Sequence, residues 1–126
     1  MTIRRRFRAE QRLTRQGEFD RVFARRCSVG DRRLVIYAVE NGSDITRLGV
    51  KVGKRMGGAV TRSRIRRRLR EAFRTQQHGL PRGLDVVCIP RVGGSGDAGV
   101  GELADSMFKL LHRAQDKLSK GVGPDR

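Results

Sequence analysis

The sequence predicts an α+β domain: a small mixed sheet of four strands with helices packed on it, in the order α-β-β-β-α-β-α. Three observations carry that expectation. Apolar residues recur at helical spacing in three segments. Four other segments are short and either alternate or run continuously apolar, as strands do. With 126 residues and 37% apolar content, the chain can bury one modest core and no more, so a single domain over 1–126 is expected. Within it, 13–119 reads as the globular core, 1–12 as a basic flexible arm and 120–126 as a tail.

The first helix is expected from about Thr14, a candidate N-cap, to Arg25. Phe19, Val22 and Phe23 stand at i, i+3, i+4 and form its apolar face. A short strand follows around 27–30. RRLVIYAVE, 32–40, is a strand by its β-branched and apolar content, and NGSD, 41–44, is a turn. TRLGVKVG, 46–53, alternates, with Leu48, Val50 and Val52 on one face and Arg47, Gly49 and Lys51 on the other. The two strands flanking the turn read as a hairpin.

The second helix is expected over Ala59–Gln76. Ile65, Leu69, Ala72 and Phe73 fall on one stripe, and Ser63, Arg66, Arg67, Arg70 and Arg74 gather roughly opposite it. Arg62 lies at the border of the two faces, and Arg64 and Arg68 on the far flank. Val60 falls on the polar side, which places the first turn under cover or outside the regular helix. HGLPRG ends the helix. DVVCIP, 85–90, is nearly all apolar and fits a buried strand. A glycine-rich loop, 93–101, leads into a last helix, Glu102 to about Lys120, whose Leu103, Met107, Leu110, Leu111, Ala114 and Leu118 share one face. There is no internal repeat.

Charge says more about function than the elements do. The net charge is +16, and two segments supply all of it: 1–26 at +6 and 47–74 at +10. Stretch 57–74, GGAVTRSRIRRRLREAFR, holds seven arginines and one acid. A solvated helix usually interleaves opposite charges; here the counter-charges are absent, so a polyanion is the expected partner. The cations are 24 arginines and 5 lysines, and arginine suits bidentate phosphate contacts and stacking on bases. Phe19, Phe23 and Tyr37 can serve as core or as stacking surfaces for unpaired bases.

Other classes find little support. GSGDAG, 94–99, matches a dinucleotide-loop pattern, but no second parallel strand follows to complete the unit. Cys27 and Cys88 are isolated, so neither a metal nor a redox pair is expected, and a reducing, cytoplasmic compartment fits. The basic start has no apolar stretch after it, and no run approaches membrane-spanning length. Asp85 reads as structural or as part of a hydrated-metal site beside RNA. His78 and His112 have no implied catalytic partner. No catalytic group, protein-bound metal or small-molecule substrate is expected. Two alternatives stay open: a structural RNA-binding protein, such as a ribosomal protein, and a nuclease acting alone.

One order of motifs is more specific. Lys54-Arg55, Gly57-Gly58-Ala59-Val60, Arg62-Ser63-Arg64-Ile65-Arg66-Arg67 and Arg70-Glu71-Ala72-Phe73 follow one another, with EFDRVF (18–23) upstream and DVVCIPR (85–91) downstream. Together they resemble the protein component of bacterial ribonuclease P, over roughly 11–115. Two positions depart from the family pattern: Ser63 and Gly58 stand where it has asparagine. The resemblance implies a left-handed β-α-β crossover around the basic helix. It implies that a partner RNA carries catalysis, using magnesium ions held mainly by that RNA, to remove the 5′ leader of precursor tRNA. It assigns Lys51, Lys54, Arg55, Arg62, Ser63, Arg64, Arg66, Arg67 and Arg70 to binding the catalytic RNA. It assigns Phe19, Phe23, Tyr37 and Arg91 to a cleft for the single-stranded leader.

Overall fold

The computed structural model describes residues 9–94 and 98–121. The elements are α1 (Gln16–Arg25), β1 (Ser28–Gly30), β2 (Leu34–Glu40), β3 (Arg47–Val50), α2 (Ala59–Gln76), β4 (Leu84–Pro90) and α3 (Val100–Ser119). Their order is the one expected, and the sheet is four-stranded and mixed. Its pairing differs from expectation at one place. The strand order is β1-β2-β4-β3. β2 and β3 do not form a hairpin: β4 lies between them, antiparallel to β2 and parallel to β3. The reason is burial. β4 is apolar along nearly its whole length and buried on both faces, so it takes a central position with a neighbour on each side.

The hairpin of the fold is β1–β2, with Ser28 opposite Tyr37. Its turn is made by Asp31, whose carboxylate accepts the backbone N–H groups of Arg33 (2.8 Å) and Leu34 (2.9 Å), which delays β2 to Leu34. β3, α2 and β4 form the parallel crossover unit.

Side chains alternate across the sheet, so its two faces have different cores. One face carries Leu34, Ile36, Ala38, Leu48, Val86 and Cys88 and is closed by α2 and α3, which pack on each other. Ile65, Leu69, Ala72 and Phe73 of α2 are all buried there, as are the six expected residues of α3. Cys27 and Cys88 are core residues, and burial pushes the Cys88 thiol up to about 12. The other face carries Val39, Val87, Tyr37 and Ile89 and is only partly covered, by α1 and Leu13.

Helix ends adjust the expected bounds. α1 starts at Gln16, not in the turn after Thr14, because the Glu18 carboxylate reaches back to the N–H groups of Thr14 (3.1 Å) and Arg15 (3.0 Å). Glu102 does the same for Gly99 (3.2 Å), so α3 begins at Val100. α2 has the expected bounds. Val60 lies inside it yet is 74% exposed, so its first turn is neither covered nor irregular.

Residues 9–12, the end of the expected arm, meet the sheet. Arg12 bridges Leu48 in parallel, Leu13 N–H donates to the Leu48 carbonyl (3.0 Å), and Gln11 reaches Gln77 (2.6 Å). Residues 1–8 of that arm, 122–126 of the tail and 95–97 at the centre of the GSGDAG loop lie outside the described residues.

Candidate nucleic-acid interface

Two basic surfaces meet near β3. The first is the open sheet face. Register aligns Val39, Asp85 and Arg47 in one row across β2, β4 and β3, and Tyr37, Val87 and Gly49 in the next. Above these rows runs α1. Its Val22 is fully buried, while Phe19 and Phe23 are half-buried. Phe23 stands edge-on to Tyr37, with centroids 4.9 Å apart and planes at 81°. Lys51 holds its Nζ 5.3 Å from the centre of the Phe23 ring, in cation–π range. Phe19, Phe23, Tyr37 and Ile89 therefore form a partly covered apolar trough with a cation at its side. Arg91 follows Ile89. Its N–H donates to the Arg33 carbonyl (2.8 Å), and its guanidinium lies beside Gly30, which has no side chain to obstruct it.

A charged network secures α1 above this trough. Asp85 is fully buried and accepts from Arg47 Nε (2.8 Å), Arg47 Nη2 (2.6 Å), Asn41 Nδ2 (2.9 Å) and the Arg21 guanidinium. Arg47 also reaches Glu18 of α1 through Nη1 (2.8 Å). Burial alone would push the Asp85 carboxyl up; the bonds from Arg47 and Asn41 outweigh it and hold the group below the usual carboxylate range. Glu18 is lowered as well, first by the N–H of Arg15, then by that of Thr14, with Arg47 adding to them. Both Asp85 oxygens are engaged by cationic or amide donors, which suits a structural anchor and leaves no lone pair set for a metal ion. Among the described residues, no three His, Cys, Asp or Glu side chains gather for a metal.

The second surface is the flank and outer face of α2. Ser63, Arg64 and Arg67 are exposed, as are Lys51, Lys54 and Arg55 before the helix. Lys54–Met56 make a single 3₁₀ turn that Gly57 ends at φ +135°, a conformation that favours glycine. Arg66 and Arg70 are half-buried, so they flank the core stripe of α2 and do not stand opposite it as expected. The expectation misplaced them: at about 100° per residue Arg66 stands roughly 20° from Phe73 and Arg70 roughly 60° from it, at the edge of the stripe, where their long stems can lie along the apolar border. Arg62 is also half-buried, and its Nε is enclosed without a hydrogen-bond partner. Arg74 is drawn off by Glu71 (2.9 Å). Arg70 holds its proton less firmly than an ordinary guanidinium, because of burial first and then the like charges of Arg12 and Arg66. Three cations thus crowd where the segment bridged to Leu48 passes α2, a surface that an anion would relieve.

The aromatic trio and the α2 cations were named from the sequence, and the structure gathers them on two separate surfaces. Reasoning from the sequence missed the floor and the anchor: Gly49, Asp85, Arg47, Glu18 and Asn41 as one assembly, and Arg12 beside Arg70. The alternation of Arg47, Gly49 and Lys51 was the available signal, since the two outward positions of β3 and the residue just after the strand all lie along the trough.

The chain also resembles known proteins. The family profile described as Ribonuclease P matches residues 7–115. The Ribonuclease P protein component of Caldanaerobacter subterraneus subsp. tengcongensis is 34% identical over 109 residues, covering 86% of each chain. That of Clostridioides difficile is 36% identical, covering 80% of this chain and 89% of its own. Among solved structures, the RNase P protein of Thermotoga maritima superimposes with a TM-score of 0.74 at 30% identity, over 81% of this chain and 96% of that one. The Staphylococcus aureus RNase P protein gives 0.72 at 29%, over 83% and 95%.

Proposed function

The chain belongs to the ribonuclease P protein family and is a protein component of ribonuclease P, the enzyme that processes tRNA 5′ ends; from that premise we propose how its two surfaces divide the work. The α2 surface, with Lys51, Lys54, Arg55, Arg62, Ser63, Arg64, Arg66, Arg67 and Arg70, binds the catalytic RNA. The trough of Phe19, Phe23 and Tyr37, with Arg91 at its end, takes the single-stranded 5′ leader of precursor tRNA. The partner RNA carries the hydrolysis and holds the magnesium ions it needs; the protein binds and orients. A ribosomal-protein role is disfavoured by the family.

The single observation that supports the division is the half-covered sheet face. Aromatic rings that belonged only to a core would be sealed, and here Phe19, Phe23 and Tyr37 stay partly open beside Lys51. An unpaired base can stack on such rings while its phosphates meet the neighbouring cations. The α2 surface offers charge without exposed rings, which suits the phosphate backbone of a folded RNA.

The test is reconstitution. Adding the protein to a ribonuclease P catalytic RNA should raise precursor-tRNA cleavage at low magnesium, and protein alone should cleave nothing. An unchanged rate would defeat the reading. Sequencing the RNA that co-purifies with the protein should return the catalytic RNA; ribosomal RNA in its place would revive the structural alternative.

A further inference from the structure

We propose that Gly49 and Arg47 are positioning residues for Phe19, setting the depth at which its ring meets a leader base; this rests on the leader reading above. Gly49 lies directly beneath that ring. A Cβ built there would stand 2.7 Å from Phe19 Cζ, 3.1 Å from Phe19 Cε2 and 3.0 Å from Leu13 Cβ. The ring can lie against the strand only because the strand has no side chain at this point. Gly49 is not at a positive φ, so the close approach, and not backbone conformation, is what requires glycine.

Arg47 acts two residues earlier on the same outward face. It is gripped by buried Asp85 on one side and by Glu18, the residue before Phe19, on the other. This bridge ties the first turn of α1 to β3 and β4 next to the aromatic ring. The two contacts are complementary: the bridge holds the helix down, and the glycine sets how far down the ring can go. Neither residue needs to touch RNA. Their influence on the leader passes through Phe19.

The experiment uses reconstituted holoenzyme and two precursor tRNAs, one with a long leader and one with a leader too short to reach the trough. The readout is the ratio of kcat/KM for the long over the short substrate. Gly49→Ala should lower that ratio on the order of tenfold, about what losing one base–aromatic stack is worth, since an added methyl displaces the ring. Arg47→Lys, which keeps the charge and loses the two-pronged grip, should lower it less. In a Phe19→Ala background neither substitution should lower it further. A merely structural role would reduce both substrates alike and leave the ratio unchanged, which overturns the proposal. So would undiminished effects of Gly49→Ala and Arg47→Lys once Phe19 is gone. If the parent holoenzyme does not distinguish the two substrates, the leader reading itself fails, and this inference with it.

Discussion

The two faces of the sheet are built to different standards of closure. Under α2 and α3, Leu34, Ile36, Ala38, Val86 and Cys88 are each fully buried, and Phe73 is buried in the same core cluster. Under α1 the same strands present Tyr37 and Ile89 half-covered, and the helix is held by an ionic anchor at Asp85 as much as by apolar packing. One face can therefore supply stability while the other keeps aromatic surface available. Burial that stabilises a fold and exposure that binds a ligand compete for the same rings, and the chain separates them by sheet parity.

The largest test of this contrast is to truncate one phenylalanine on each face. Phe73→Ala should cost roughly 3–5 kcal/mol of unfolding free energy, the range for a fully buried ring, measurable by urea denaturation. Phe19→Ala should cost much less stability yet weaken long-leader substrate in the holoenzyme. Equal stability losses would mean that the α1 face is as much a core as the other.

The anchor itself makes the next prediction. Asp85→Asn keeps the shape and loses the charge facing Arg47 and Arg21, and should cost about 1–3 kcal/mol at neutral pH. The folded carboxyl sits below its unfolded value. Its contribution is therefore complete above the ordinary carboxylate range and is lost as pH falls through the folded pKa. Above about pH 4, the unfolded carboxylate value, the stability curves of Asp85→Asn and its parent should run at a constant offset, and they should converge as pH falls below it. An offset that stays undiminished into acid would show that the charge is not what anchors α1.

A third prediction separates the two proposed binding surfaces. Replacing Arg66 and Arg70 with alanine should flatten the salt dependence of catalytic-RNA binding by about one unit of slope per lost phosphate contact. Phe19→Ala should leave that slope alone. If both act equally on both steps, the division of labour is wrong.

Much of this architecture was legible because it follows local periodicity. The bounds and core stripe of α2, and the apolar face of α3, depend on spacing within one segment. The sheet order was not, because adjacency in sequence favours a hairpin between neighbouring strands, and only the burial of β4 on both sides places it between β2 and β3. That run of DVVCIP was itself a clue: a strand apolar on both faces needs a partner on each edge. The anchor was illegible for a related reason. Asp85 stands 38 residues from Arg47 and 64 from Arg21, and no spacing rule joins them. The aromatic trio was ambiguous, since helical spacing of Phe19 and Phe23 suits both a core and a binding surface; in the structure each ring is partly buried.

The smallest expected effect concerns the start of α2, where the family has asparagine and this chain has Gly58. Gly58 is the N-cap, with φ −75° and ψ −178°, a backbone that any residue adopts. Its carbonyl accepts the Arg62 N–H (2.9 Å), and no side chain caps the turn. An asparagine amide oxygen would reach one of the unpaired N–H groups of the first turn. Gly58→Asn should therefore stabilise the fold by only a few tenths of a kcal/mol, the usual difference between those caps. Gly57 is the contrasting neighbour, because its φ of +135° penalises any side chain. Gly57→Asn should destabilise where Gly58→Asn stabilises, and thermal unfolding of the two variants would read the opposite signs. If both substitutions destabilise, the turn into the basic helix needs two glycines, and the departure at Gly58 is a requirement of this chain and not a tolerated loss of a cap.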